Sequence, residues 1–257
     1  MALWLIGLGL FDARSITLAG LEAAKRCDRL YAEFYTAILA TPHAELEALF
    51  GKPVTRLDRL GVETGADKLL SEARTGDVAL LVAGDPMAAT THTDLLVRAK
   101  AAGVALHILH APSILTAAPG LLGLQHYKFG RTTTLVRPQG SWNPTSPFDA
   151  VAENHARGLH TLVLLDIQAD VGYFMTASEG VRQLLDLARR TGASWFNEAT
   201  PVGVVARAGS AQPGRWTGPA GHLATLDFGP PLHCVIVPGA LHDVEAAAWR
   251  LWDAPTA

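Results

Sequence analysis

Three short stretches of this chain place polar or flexible groups at the ends of apolar runs, where α/β proteins usually meet small ligands. In "GLGLFD", Gly7 to Asp12, the glycines remove Cβ atoms and let backbone amides approach a ligand. This is not a dinucleotide fingerprint, because Asp12 stands where the third glycine of G-x-G-x-x-G belongs and its charge would repel a pyrophosphate. A tight strand-to-helix turn is the plain alternative. In "LVAGDPMAATTHTDLLVRAKAAG", residues 81–103, an apolar run stops at Gly84 and Asp85 follows at its lip. Asp85 is either an N-cap with Pro86 at the first helical position or a carboxylate for a ribose hydroxyl or a cationic group. Helix-like sequence resumes only after "MAATTHT", which leaves a loop for the second role. "HAPS", His110 to Ser113, ends the next apolar run, and Ser113 either caps the following helix or faces a ligand.

Other chemistries find little support. His107 and His110, three apart on a strand, point to opposite faces, and no HExxH occurs, so no metal is expected. "ARAGS" lacks the spacing of a nucleophile elbow, and no phosphate-loop lysine motif exists. A net charge of −3 without a basic run argues against nucleic acid as a partner. Cys27 and Cys234 stand far apart, which fits a reducing, cytoplasmic setting. The apolar opening "MALWLIGLGL" lacks a positive flank and is followed at once by Asp12 and Arg14, so it reads as a buried strand. No apolar run reaches the roughly 20 residues of a membrane span.

The elements that must position these groups alternate. "LWLIGL", "RLYAEF", "PVTRL", "DVALLVAG" and "VALHIL" read as strands, separated by helices such as "TLAGLEAAKRCD", with Thr17 as N-cap, and "ADKLLSEARTG", closed by Gly76. Nearly continuous apolar strands alternating with helices predict a parallel sheet covered on both faces. In the second half, "RTTTLV", "LHTLVLLDI", "TPVGVVARAGS" and "LHCVIVPG" read as strands. "FDAVAENHARG" and "EGVRQLLDLARRTG" read as helices, and "AQPGRWTGPAGHLATLDFGPP" as irregular. In the last helix, "ALHDVEAAAWRLW", Trp249 and Trp252 are expected on one face. "RPQGSWNPTSP" is a turn-rich connection, or a docking element with Trp142 as anchor. Two α/β domains are expected, 1–111 and 112–257.

Taken in order, "LWLIGLGLFDARSITLAGLEAAKRCD", "YAEFYT", "AGDPMAATTHTDLLVRAKAAGV", "HAPSI", "YKFGRTTTLV", "NPTSPFD", "RGLHTLVLLDI", "ARAGS" and "PLHCVIVPGALH" span nearly the whole chain. With them the sequence resembles the diphthine synthases, within the tetrapyrrole-methylase-like class of S-adenosylmethionine-dependent methyltransferases. The resemblance implies a tetrapyrrole methylase-like fold, two α/β domains with the methyl donor in a cleft between them, and a homodimer. It implies methylation of the amino group on a modified histidine of translation elongation factor 2, in diphthamide biosynthesis. The length is that of the shorter, archaeal-type form, which stops at the trimethylammonium compound. Carried over residue by residue, the donor contacts are Leu10, Asp85, Ala88, Ser113, Ile114, Leu165, Ala208 and His233. Ala88 replaces a bulkier aliphatic residue or a glycine, and "TAAPGLLGLQHYKFG" is one residue longer than in relatives. No catalytic base stands out: His233 is a base, a helper in adenosine binding or a satisfied buried histidine. A same-class enzyme acting on a tetrapyrrole, a corrin or ribosomal RNA is the nearest alternative. A nicotinamide-dependent oxidoreductase and a non-catalytic nucleotide sensor are more distant ones.

Overall fold

The structure, a computed structural model, describes residues 1–35, 37–58, 61–62 and 65–255. Thr36, which ends the "YAEFYT" stretch, lies outside the described residues. The chain divides into two compact units, Met1–Ile114 with Ala169–Val171, and Leu115–Gln168 with Gly172–Ala257. The division falls at Ile114, within the "HAPSILTA" stretch and three residues after the sequence-based boundary.

In the first unit, β1 (Ala2–Gly7), β2 (Arg29–Glu33), β3 (Val54–Leu57), β4 (Asp77–Val82) and β5 (Ala105–Leu109) form one sheet. Its order is β3-β2-β4-β1-β5, and every pair is parallel. Helices cover both faces because the strands are apolar on both. Leu3, Leu5, Val78 and Leu80 pack with Leu69 and Leu70 of α3 (Ala66–Ala73) and Leu95 of α4 (Thr93–Ala101). Ile6, Leu30, Ala79 and Leu81 pack with Ala23 and Ala24 of α1 (Leu18–Arg26) and Leu46 and Phe50 of α2 (His43–Phe50). Thr17 caps α1, its hydroxyl accepting from the Gly20 N–H at 3.0 Å. α3 ends at Ala73, with Arg74 rather than Gly76 in the cap position.

From adjacent β1 and β4 the chain leaves in opposite directions, towards β2 on one side and β5 on the other. This is a topological switch point, and the loops after β1 and β4 flank the crevice that such a reversal opens.

The second unit has a mixed sheet of β6 (Thr133–Leu135), β7 (Thr161–Leu165), β10 (Pro201–Ala206), β11 (Gly214–Pro219) and β12 (His233–Val237), with a separate β8–β9 hairpin (Ile167–Gln168, Tyr173–Phe174). Only β6 and β7 pair in parallel; β7–β12, β12–β10 and β10–β11 are antiparallel. β11 is a correction, since it lies in the stretch read as irregular. One face packs on α6 (Ser146–Ala156), α7 (Ala177–Thr191) and α8 (Ala220–Leu223) through Phe148, Val181, Leu184 and Leu223. On the other, Gly203 admits Leu122 of α5 (Ile114–Leu122) and Trp249 of α9 (Asp243–Arg250): an ideal Cβ there would lie 2.6 Å from Leu122 Cδ1 and 2.8 Å from Trp249 Cη2. α9 stops at Arg250, so Trp252 leaves the face of Trp249 and instead lies under the Arg215 guanidinium, 3.6 Å from the ring centre. Among the described residues, no helix is long and apolar enough to cross a membrane.

Candidate methyl-donor site

In the first unit the two loops at the switch point are tied by backbone. Gly9 N–H donates to Gly84 O at 3.1 Å and Gly84 N–H to Gly9 O at 2.7 Å. Such closeness excludes side chains: a Cβ on Gly7 would lie 2.6 Å from Ala111 Cβ and 2.7 Å from Gly84 O. Gly9, at φ +74°, turns the chain back over Ser15. Leu10 follows, its carbonyl accepting from Ser15 Oγ at 2.7 Å and from the Asp12 N–H at 2.8 Å. The glycine turn is thus a rigid backbone ledge.

Asp85 does not cap a helix. Pro86 sits in a turn and α4 begins only at Thr93, so that alternative falls. Its carboxylate instead braces the loops: Oδ1 accepts from the Met87 N–H at 2.9 Å, while Oδ2 accepts from the Ala111 N–H at 3.2 Å and lies 2.8 Å from His110 Nδ1. The Ala88 N–H donates to the Asp85 carbonyl at 3.2 Å, closing the turn. One carboxylate therefore joins the loop after β4 to the start of "HAPS". Ser113 directly precedes Ile114, the first residue of α5. Leu10, Asp85, Ala88, Ser113 and Ile114 so gather beyond the carboxyl edge of a single parallel sheet, from the loops after β1, β4 and β5.

The three predicted residues of the second unit share an edge as well. Ala206 is opposite His233 and Cys234 opposite Leu164, so Leu165 at the end of β7, His233 at the start of β12 and the turn after β10 lie side by side. Leu165 is buried against α7, where Gly180 has no Cβ to obstruct it. Ala208 sits in a tight turn in which Ser210 N–H donates to Arg207 O at 3.1 Å. His233 is buried and satisfied on both nitrogens. Nδ1 accepts from the Ala177 N–H at 3.2 Å, so Nε2 carries the proton and donates to Pro230 O at 3.0 Å. Burial pushes its pKa below the ordinary histidine value. A neutral ring with both positions engaged is poorly placed to take up a proton.

Three features went unread in the sequence. Phe11, Ala89 and Arg207 are non-glycine residues in the left-handed region, at φ +65°, +53° and +52°, and each lies in a loop already singled out. Arg207 also clamps the turn before His233, its Nη1 donating to Phe228 O at 2.8 Å and Pro230 O at 2.7 Å. Strain of this kind concentrates in ligand-binding loops. No residue-type rule flags alanine or arginine for positive φ, so the conformation is visible only in the fold.

Elsewhere in the second unit, Arg137, Asn143, Tyr173, Arg182 and Arg189 line a cavity of about 490 Å³. The adjoining "RPQGSWNPTSP" segment is ordered: Gln139 and Trp142 exchange backbone hydrogen bonds at 2.9 Å, and Arg190 Nη2 donates to Asn143 O at 3.1 Å. That is a structured connection, with Trp142 half-exposed at its tip.

Residues 2–224 match the family model of tetrapyrrole (corrin/porphyrin) methylases. The chain is 48% identical over 245 residues to a diphthine synthase of Methanococcus maripaludis (strain C5), covering 95% of this chain and 96% of that one. It is 47% identical over 249 residues to the diphthine synthase of Methanocaldococcus jannaschii, covering 96% of each. A crystal structure from Entamoeba histolytica, assigned as a diphthine synthase, superimposes with a TM-score of 0.92 at 36% identity, covering 99% of both chains.

Proposed function

The chain belongs to the tetrapyrrole methylases and, within them, to the diphthine synthases, S-adenosylmethionine-dependent methyltransferases of diphthamide biosynthesis; from that premise we propose that it methylates the amino group of the modified histidine on translation elongation factor 2. We assign the donor contacts to Leu10, Asp85, Ala88, Ser113 and Ile114 in the first unit and to Leu165, Ala208 and His233 in the second. The observation that carries this assignment is the backbone ledge at the switch point, where Gly7, Gly9 and Gly84 bring two loops together beside one carboxylate. Asp85 makes the ledge a poor cradle for phosphate and a suitable one for a cationic nucleoside. The protein works in the cytoplasm, consistent with two free, buried cysteines, and as a homodimer, as in the family it resembles.

S-adenosylmethionine supplies a sulfonium methyl group together with its own leaving group. What remains for the chain is to align the acceptor amine, exclude water and let the amine be neutral. Alignment alone can supply roughly 7–11 kcal/mol. A low-polarity site favours the neutral amine over the ammonium. His233 supports this reading as a wall of the pocket rather than as a base, since both its nitrogens are already engaged.

The test is incubation with S-adenosylmethionine and an elongation factor 2 carrying the unmethylated precursor, followed by mass spectrometry of the histidine-containing peptide. Successive gains of one methyl mass are expected. An unchanged peptide at saturating donor overturns the assignment. Asp85→Ala should weaken S-adenosylhomocysteine binding more than it lowers the melting temperature. Calorimetry beside thermal melts separates the two, and a variant that melts well below the native protein yet binds S-adenosylhomocysteine with native affinity would make Asp85 a structural brace alone.

A further inference from the structure

Two of the stretches that carry the resemblance, "AEFYT" and "GDP…ATTH", meet inside the first unit through side chains that no donor contact uses. Glu33 is the last residue of β2 and His92 directly precedes α4; they are 5% and 1% exposed. His92 Nδ1 lies 2.8 Å from the carbonyl oxygen of Pro86. A carbonyl only accepts, so Nδ1 carries the proton. Nε2 then faces Glu33 Oε1 at 3.6 Å and has no other partner within hydrogen-bond reach among the described residues. A lone pair turned towards a carboxylate in a dry interior is repulsive, and the ring nitrogen stays desolvated without return. One additional proton, on Nε2 or on the carboxyl group, turns the repulsion into an attraction.

We propose that Glu33 and His92 form a one-proton positioning pair: Glu33 holds the imidazole, and the imidazole Nδ1–H holds the Pro86 carbonyl, fixing the loop after β4 in the shape that receives the methyl donor. Pro86 is buried, so its carbonyl needs a donor. The loop also needs restraint, because Ala89 stands at φ +53°, a conformation that lasts only where its surroundings impose it. Asp85 grips the turn through the Met87 N–H, and His92 grips it from the other side at Pro86. The functional half of this inference rests on the donor reading above, whereas the structural half does not.

Two near-isosteric variants separate the pair's two links. In His92→Asn the side-chain amide takes the place of Nδ1 and keeps the hold on Pro86. In His92→Gln it reaches the place of Nε2, towards Glu33, and releases Pro86. Amide hydrogen exchange across residues 85–91 of the ligand-free protein should stay within about twofold of the native rate for Asn and rise about tenfold for Gln, as expected for loss of one buried tie. S-adenosylhomocysteine affinity should follow the same order. Glu33→Gln, whose amide donates to Nε2 without an ionisable proton, should preserve both. Equal exchange and equal affinity in the Asn and Gln variants overturn the proposal, as do losses in both that track only a shared fall in melting temperature. If the native protein fails to bind S-adenosylhomocysteine, the donor reading falls, while the exchange comparison still decides the pair.

Discussion

At the scale of single residues the site is made more by what is missing than by what is present. Gly7 has no Cβ because Ala111 and the Gly84 carbonyl already occupy that space. Gly7→Ala should therefore cost about 1–3 kcal/mol of stability through overpacking and should weaken donor-product binding as well, read by thermal melts and calorimetry. Arg207→Ala should remove the bonds to Phe228 O and Pro230 O and, at about 1 kcal/mol per bond, loosen the turn that leads into His233. Faster amide exchange at residues 229–233 is the check. Residue types told part of this in advance. A glycine turn at a strand end and an acid at a strand lip are readable because each has a distinct steric or charge consequence. The partners of Asp85 were not readable, because Ala111 N–H and His110 come from a loop some 25 positions away.

At the scale of elements, local pattern succeeded where period and caps agreed. The all-parallel sheet of the first unit follows from continuous apolar strands alternating with helices. Strand β11 escaped because "GRWTGP" has two glycines and a proline and no alternation of its own; its pairing partner β10 makes it a strand. α7 begins at Ala177, earlier than its apolar period suggested, because Thr176 and Glu179 form a reciprocal capping box. That cap also steadies the Ala177 N–H on which His233 rests. Thr176→Ala should cost about 1 kcal/mol and weaken donor-product affinity alongside, whereas a surface substitution at the far end of α7 should not touch affinity.

At the scale of the molecule, acid is the expected weakness. Burial alone would raise the pKa of Glu245, but hydrogen bonds from Lys128, the Gln125 N–H and His160 hold it at about 2. A carboxyl depressed below its unfolded value of about 4.3 adds stability above that value and loses it as the pH falls towards 2. His160 and His233, held neutral by burial, act in the same sense. As the pH falls through about 6.5 the unfolded chain protonates them before the folded one does, so stability begins to fall there. The melting temperature should drop from slightly acidic pH downward. Glu245→Gln should flatten the part below pH 5 while costing about 3–5 kcal/mol at neutral pH, the toll of leaving buried partners unanswered.

The strand order β3-β2-β4-β1-β5 carries a consequence for how the protein is made. β1 lies between β4 and β5, so "ALWLIG" finds its first neighbour only when Asp77–Val82 has been synthesised and its second only with Ala105–Leu109. A nascent chain leaving the ribosome exposes a sticky, partnerless segment for much of its translation. Fragments ending before residue 77 should precipitate or cling to chaperones, and those extended past residue 109 should be the first to stay dissolved.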